Sequence, residues 1–191
     1  MKKVIHIHTD HKFIADTERY SGEIFVNEIL ILDTKNSFNK EYHNKAQFFD
    51  PKLENLNEIL AVVNTADALV IYNLDFFKAH IVNSVDKRIK IIWRFFGAEL
   101  YSRKLHLYLS TKSRSFVIPR LFKGQVKSIF RFFIKEEKSF YNAIKRADAI
   151  TCVFKDEYDY LIRHWGHLPK FIPLSLENRN YSKKIDFELD V

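Results

Sequence analysis

The chain has 191 residues, enough for one sizeable hydrophobic core, and its 47% hydrophobic and 15% aromatic content excludes an intrinsically disordered protein. No apolar run approaches the ~20 residues that a membrane-spanning helix needs, and a single cysteine excludes a disulfide framework. The net charge of +7 comes from one segment: residues 103–138 contain ten Lys or Arg and two Glu, whereas the rest of the chain contains 21 basic and 22 acidic residues.

Short β-branched runs alternate with helical patterns along the chain, which is typical of βαβ units in a parallel sheet. The predicted strands are Val4–His8, Glu28–Leu32, Ala68–Asn73, Ile89–Trp93, Ala149–Phe154 and Phe171–Leu174. Their near-continuous hydrophobicity is typical of strands that are covered on both faces. We therefore predict a Rossmann-like α/β domain over residues 1–175, with an open parallel sheet of about six strands and helices on both faces. Residues 176–191 are expected to form a polar connector.

Helical patterns separate several of these strands. Asp50 and Pro51 suit the N-cap and first position of a helix before the third strand. Asp156 suits the N-cap of a helix after the fifth strand, and Gly166 is expected to end that helix. Residues 111–147 predict a long, mostly helical insertion that is interrupted near Pro119 and Gly124.

The four glycines of the chain are Gly22, Gly97, Gly124 and Gly166. They are too far apart for a G-x-G-x-x-G motif or a P-loop, so we expect no dinucleotide or nucleoside-triphosphate site. In open α/β sheets, ligands bind outside the carboxyl ends of the strands. Two predicted strand ends carry polar clusters, in residues 6–12 and 93–101. Gly97 would allow a tight turn after the predicted strand Ile89–Trp93. This turn would place Glu99 at the carboxyl end of the sheet.

The histidine pair of the first strand suggests an alternative. His6 and His8 are two residues apart on a strand, so they share a face and could bind one metal ion in a metal-dependent hydrolase. His43, His80 and His106 lack carboxylate partners at familiar spacings. We therefore predict no metal site and interpret the pair as ordinary strand histidines.

The stretch Ile91–Tyr101, which reads Ile-Ile-Trp-Arg-Phe-Phe-Gly-Ala-Glu-Leu-Tyr, resembles a known motif. That motif is Trp-x-x-Trp-Gly-Ala-Asp-Leu-Tyr, of the TDP-fucosamine:lipid-linked-disaccharide fucosaminyltransferases (4-acetamido-fucosamine transferases). Val4–Ile7 followed by Asp10 is similar to the first strand and loop of that family. Residues 149–173 resemble its Cys-Val-Phe strand, following helix and closing strand-proline.

Two residues depart from the family motif. Phe96 stands where the family has its second tryptophan, and Glu99 stands where it has aspartate. Glu99 keeps a carboxylate at the aspartate position, so a role that depends on negative charge is retained. Homologous transferases of other capsular or surface polysaccharides fit the sequence equally well.

The resemblance implies the N-terminal half of a GT-B glycosyltransferase, in which two Rossmann-like domains face a cleft. In such enzymes the N-terminal domain mostly binds the acceptor, here a lipid-linked saccharide. The nucleotide-sugar donor would bind a C-terminal domain, so we expect no cofactor in this chain and no activity from it alone. The single cysteine favours a cytoplasmic protein, and a lipid-linked acceptor together with the basic segment of the chain leads us to expect a peripheral location on the inner face of the cytoplasmic membrane.

Glycosyl transfer requires a base that activates the acceptor hydroxyl. Asp10 and Glu99, one at each polar strand end, are the candidate catalytic residues. The candidate substrate-binding residues around them are Lys12, Arg94, Gly97 and Tyr101. Lys12 and Arg94 lie beside the two carboxylates and could hold the acceptor diphosphate. Structural salt bridges among the four charged residues are the alternative.

The basic segment contains the pattern of a cationic amphipathic helix around residues 121–135. Phe130 and Phe133 belong to an apolar face, and cations recur every fourth residue at Lys123, Lys127, Arg131 and Lys135. Such a helix can lie in the headgroup layer of an anionic membrane. A core-packing helix with a solvated basic face is one alternative. A non-enzymatic basic module that binds nucleic acid is another, although we expect no nucleic-acid partner.

Overall fold

Seven parallel strands organise the computed structural model, which describes residues 1–10, 13, 14, 17, 25–33, 44–97, 126–152 and 155–173. The strands are β1 Lys2–His8, β2 Phe25–Ile31, β3 Ala46–Phe48, β4 Ala68–Tyr72, β5 Lys90–Arg94, β6 Ala149–Cys152 and β7 Lys170–Pro173. The helices are α1 Leu56–Val63, α2 Phe76–Ser84, α3 Val126–Arg146 and α4 Lys155–Trp165. A short 3₁₀ turn, Leu53–Asn55, precedes α1.

The strand order is β3-β2-β1-β4-β5-β6-β7, and every neighbouring pair is parallel. From β1 the chain continues to β2 on one side, whereas from β4 it continues to β5 on the other side. The order therefore reverses between β1 and β4. In open α/β sheets this switch point opens a crevice at the carboxyl ends of the two strands, where ligands bind.

The two faces of the sheet differ in composition. Ile7, Ile71, Trp93 and Ile150 lie in one register row and are at most 1% exposed. They form one hydrophobic core with buried side chains of α1, α2, α3 and α4. Successive side chains of a strand alternate between faces, so the rows beside this one contain the histidines of β1. On that second face, Ile14 packs with Ile29 and Ile31 in a smaller apolar cluster.

The predicted Rossmann-like α/β class is confirmed, and the sheet has one strand more than expected. Strand β3 has only three residues, too few for a recognisable hydrophobic pattern. The predicted start of α1 is wrong. Lys52 is extended, and the backbone oxygen of Asp50 accepts a hydrogen bond from the Asn55 side chain at 3.1 Å, so Asp50 and Pro51 both precede the helix.

The helix after β6 differs from its prediction at the first residue and agrees with it at the last. Helix α4 begins at Lys155, so Asp156 lies in the first turn and is not the N-cap. An acidic side chain at that position is favoured by the helix dipole. Gly166 ends the helix as predicted. Its φ of 69° lies in the left-handed region that glycine adopts most easily, and its N–H donates to the Ile162 oxygen at 2.8 Å.

Helix α3 confirms that the later part of the predicted insertion is helical. Arg146 donates to the oxygen of Ile89, the residue just before β5, at 2.9 Å. Phe140 packs edge-on against Trp93 near the end of β5, with ring centroids 6.1 Å apart. The helix therefore runs antiparallel to β5, and residues 126–135 extend past the carboxyl ends of the strands. The interruption expected near Pro119 and Gly124 and the expected connector lie outside the described residues.

Candidate functional site

The carboxyl ends of β1, β4 and β5 form one edge of the sheet, which we call the carboxyl edge. The register pairs Ile7 with Ile71 and Tyr72 with Arg94, so the last residues of the three strands lie side by side. Beyond them come Thr9 and Asp10 after β1, Asn73 after β4 and Gly97 after β5. This edge includes the switch point, and most of its side chains are polar.

A chain of hydrogen bonds runs through buried side chains beside the switch point. His6 Nε2 lies 3.0 Å from Asn27 Oδ1, and His6 Nδ1 lies 3.3 Å from the Tyr72 hydroxyl. Thr17 Oγ1 lies 3.1 Å from that hydroxyl and 3.1 Å from His8 Nε2. All but Asn27 are at most 5% exposed.

The partners of this chain set the direction of each hydrogen bond. The Asn27 side-chain oxygen can only accept, so His6 donates from Nε2 and accepts at Nδ1. The Tyr72 hydroxyl then donates to His6 and accepts from Thr17, which in turn accepts from His8 Nε2. His8 Nδ1 is left as an acceptor that has no hydrogen-bond partner among the described residues.

Burial keeps both histidines neutral. The pKa of His8 is lowered from its ordinary value of 6.5 to about 2, mainly by desolvation and to a lesser extent by charge repulsion from His6, Lys78 and Arg94. Desolvation also lowers the pKa of His6, although the hydrogen bond that His6 donates to Asn27 acts in the opposite direction and raises it. Within the described residues, no group of three His, Cys, Asp or Glu side chains could hold a metal ion. The contacts of the pair are those of structural histidines on a strand.

Lys78 of α2 joins the loops that follow β1 and β4. Its side chain is fully buried, and Nζ donates to the backbone oxygens of Tyr72 at 2.6 Å and Asn73 at 2.9 Å. It also donates to Thr9 Oγ1 at 3.2 Å and lies 3.4 Å from Asp75 Oδ2. Asn73 has a φ of 57°, an uncommon left-handed conformation for a residue other than glycine. The two hydrogen bonds from Lys78 to the Tyr72 and Asn73 oxygens therefore stabilise this turn.

Arg94 ends β5 among three aromatic rings. Its guanidinium carbon lies 5.1 Å from the ring centroid of Tyr72, 5.5 Å from that of Phe96 and 6.0 Å from that of Phe13. Phe13 and Phe96 stack with centroids 4.0 Å apart. Guanidinium groups are attracted to the faces of aromatic rings at such distances. The residue is half-buried, so this cation lies at the border of the site and solvent.

The structure brings together part of the predicted site. Arg94 and Gly97 follow or end β5, and Asp10 is an exposed residue just after β1, so all three lie at the carboxyl edge. Gly97 is buried with a φ of 85°, as the predicted tight turn requires. Glu99, Lys12 and Tyr101 lie outside the described residues. The proposed roles of all six remain predictions.

The predicted membrane-binding residues lie partly within α3. Lys127, Phe130, Arg131, Phe133 and Lys135 belong to this helix, whose side chains are described from residue 136 onward. Lys123 lies outside the described residues. Among the helices described, none is long and apolar enough to cross a membrane.

Five residues of the site were missed from the sequence: Phe13, Thr17, Asn27, Tyr72 and Lys78. One signal was present, because Asp75 follows the end of β4 and stands three residues before Lys78. Asp75 caps α2 by accepting the Lys78 N–H at 2.8 Å. A lysine in the first turn of a helix is normally exposed, so nothing in the pattern indicated that Lys78 is buried.

No protein-family model and no curated protein matches the sequence. Among solved structures, the fold is similar to an alpha-glucosyltransferase in complex with UDP-glucose and DNA containing an abasic site, with a TM-score of 0.57 and 12% identity. The match covers 90% of this chain and 42% of that chain, so this chain spans less than half of the glucosyltransferase. The comparison establishes a shared Rossmann-like fold.

Proposed function

We propose that the chain is the acceptor-binding half of a glycosyltransferase of the GT-B kind, which transfers a sugar from a nucleotide-sugar to a lipid-linked saccharide. The observation that supports this most is the fold, because 90% of the chain superposes on less than half of a known glucosyltransferase. In a two-domain enzyme with one such domain on each side of its cleft, each domain would account for a little less than half of the chain. The fucosaminyltransferase-like motif at the end of β5 supports the choice of acceptor.

The proposed reaction needs a base on the acceptor side. The acceptor hydroxyl oxygen forms a bond to the anomeric carbon, and the bond from that carbon to the nucleoside diphosphate breaks, with its electron pair leaving on the diphosphate. The hydroxyl proton passes to a carboxylate, for which Asp10 and Glu99 are the candidates. Arg94 and Lys12 would bind the diphosphate of the acceptor, and Gly97 and Tyr101 would shape the loop around it.

A lipid-linked acceptor also requires access to a bilayer. We propose that the N-terminal half of α3 and the residues before it bind an anionic membrane surface through Lys123, Lys127, Arg131 and Lys135. Phe130 and Phe133 would enter the headgroup layer. This half of α3 extends past the carboxyl edge, so the membrane would lie on the side of the sheet where the acceptor is proposed to bind. Each cation near such a surface contributes about 1 kcal/mol.

Transfer by the full-length gene product tests this function. We expect that, with a panel of nucleotide-sugars, a prenyl-diphosphate-linked disaccharide gains the mass of one sugar residue. Asp10→Asn and Glu99→Gln should each lower turnover about 100-fold if the residue is the base. Asp156→Asn, an exposed carboxylate of α4, should leave turnover unchanged. Failure to modify any lipid-linked acceptor contradicts the function, whereas full turnover in both site variants contradicts only the base assignment.

Nucleic acid is the second candidate acceptor. The glucosyltransferase neighbour was solved with DNA, and residues 103–138 contain the whole positive excess of this chain. In the same assay, sugar transfer onto duplex DNA, together with DNA binding that weakens steeply with salt, would favour this acceptor over the lipid-linked one.

A further inference from the structure

The side chain of Tyr72 is held by residues from the strands on both sides of β4. The His8 ring, on β1, stacks on it with centroids 3.9 Å apart, and the Arg94 guanidinium, on β5, lies 5.1 Å from its centroid. Its hydroxyl is within hydrogen-bond distance of both His6 and Thr17. Tyr72 is 3% exposed. Its ring therefore has little freedom to move.

The backbone of Tyr72 is fixed as well. Its carbonyl oxygen accepts the 2.6 Å hydrogen bond from Lys78. The next residue, Asn73, donates its N–H to the Arg94 oxygen at 3.3 Å, so the two strand ends are tied together. Both the ring and the main chain of Tyr72 are thus anchored beside Arg94.

The three rings around Arg94 differ in burial. Phe13 and Phe96 are half-buried, whereas Tyr72 is almost completely buried. Tyr72 is therefore the fixed surface against which the guanidinium lies, and the two phenylalanines complete its surroundings. A guanidinium that lies against a ring keeps its N–H groups in plane, where they can form paired hydrogen bonds to phosphate oxygens.

We propose that Tyr72 is a positioning residue that holds Arg94 in the orientation needed to bind a diphosphate. This proposal rests on the proposed function for its ligand, the diphosphate of a lipid-linked acceptor. The position of Arg94 itself does not depend on that ligand. The two parts can therefore be tested separately.

NMR tests the positioning without a ligand. Arg94→Gln identifies the Arg94 Nε–Hε resonance by its loss. In the wild-type protein we expect this resonance to be shifted upfield by the rings and to show NOEs to the Tyr72 ring protons. Tyr72→Phe keeps the ring and should keep the shift, whereas Tyr72→Met should move the resonance toward its ordinary position. Absence of the wild-type NOEs, or an unmoved resonance in Tyr72→Met, overturns the proposal, and the NOE measurement decides even if Tyr72→Met does not fold.

Calorimetric titration with geranyl diphosphate, a water-soluble prenyl diphosphate, tests the consequence. We expect Tyr72→Met to weaken binding about tenfold, the scale of a desolvated cation–π contact, and Tyr72→Phe to weaken it about twofold or less. Tyr158→Phe is the matched control, because it removes a hydroxyl that donates to the Pro169 oxygen far along the sheet. Normal affinity in Tyr72→Met overturns the positioning role. No binding by the wild-type protein contradicts the proposed function, while the NMR result still decides the position of Arg94.

Discussion

Arg94 and Tyr72 are register partners on β5 and β4, and the guanidinium of Arg94 lies over the Tyr72 ring at 5.1 Å. The cation is thus held at the carboxyl ends of the strands, one strand away from the switch point. Thr9 and Asp10 approach the same edge from β1. An anionic ligand in this crevice would meet a preoriented guanidinium.

Removing that cation should weaken the binding of a diphosphate. We expect Arg94→Gln to lower the affinity for geranyl diphosphate at least about tenfold, since charge-assisted hydrogen bonds contribute roughly 1.5–3 kcal/mol. Calorimetric titration gives the affinity, and thermal unfolding checks that the fold is intact. Arg163→Gln, on the exposed surface of α4, removes the same charge elsewhere and should change nothing. Equal affinities in the two variants would remove Arg94 from the binding site.

Lys78 should matter for stability. Lys78→Met keeps the length of the buried stem but leaves the Tyr72 and Asn73 oxygens without their donor, a loss of about 2–3 kcal/mol of unfolding free energy. Urea denaturation measures the change. Lys155→Met is the control, because it removes an exposed pair with Asp159, and pairs of that kind contribute little. A Lys78→Met protein as stable as the wild type would show that this lysine does not hold the two loops together.

The buried histidines predict a loss of stability in mild acid. Burial lowers the pKa of His6 and His8 in the folded protein, so below about pH 6.5 the unfolded chain takes up protons that the folded protein does not. Well above that pH both histidines are neutral in the folded and the unfolded states, so they do not change the unfolding free energy. As the pH falls below it, they lower the unfolding free energy. Each histidine adds a slope of up to about 1.4 kcal/mol per pH unit.

Urea denaturation between pH 7.5 and 5 checks this expectation. We expect the unfolding free energy to be level near pH 7.5 and to fall below pH 6.5. His8→Gln, which cannot take up a proton, should flatten that fall even if it lowers stability throughout. An unchanged slope in this variant would mean that His8 is not the group responsible.

The basic half of α3 should bind anionic vesicles. We expect co-sedimentation with phosphatidylglycerol liposomes at low salt, weaker binding at high salt and none with neutral lipid. Lys127→Glu with Arg131→Glu should abolish it. The control, Lys155→Glu with Arg163→Glu, makes the same charge change on α4 and should bind normally. Loss of binding in both double variants would indicate an effect of net charge and would not support this helix as the anchor.

The fold was predictable because its central strands, β1, β4, β5 and β6, are mostly buried or half-buried on both faces and therefore read as near-continuous apolar runs. Strand β3 escaped prediction because three residues show no period. The N-caps were placed wrongly at Asp50 and Asp156, where a favourable residue type did not determine the backbone conformation. Local chemistry alone could not show that the chain remains extended through Lys52.

The site was predictable only as an edge of the sheet. Arg94 and Gly97 could be assigned to it because each belongs to a polar stretch that ends a strand. Tyr72 and Thr17 could not, since their contacts join β4 with the segment after β1 across 55 positions of sequence. The histidine pair suggested a metal ligand by spacing, but in the structure three of its four ring nitrogens contact Asn27, Tyr72 and Thr17.

The most direct test of an acceptor site at the switch point is an NMR titration of the ¹⁵N-labelled chain. The two ligands are a short-chain prenyl-diphosphate-linked disaccharide and a TDP-sugar. We expect the disaccharide to shift the amide resonances of Thr9, Asp10, Asn73 and Gly97 and the side-chain resonances of Arg94, and the TDP-sugar to leave them unchanged. Shifts of these residues by the TDP-sugar alone, or disaccharide shifts confined to other surfaces, would contradict an acceptor site at the switch point.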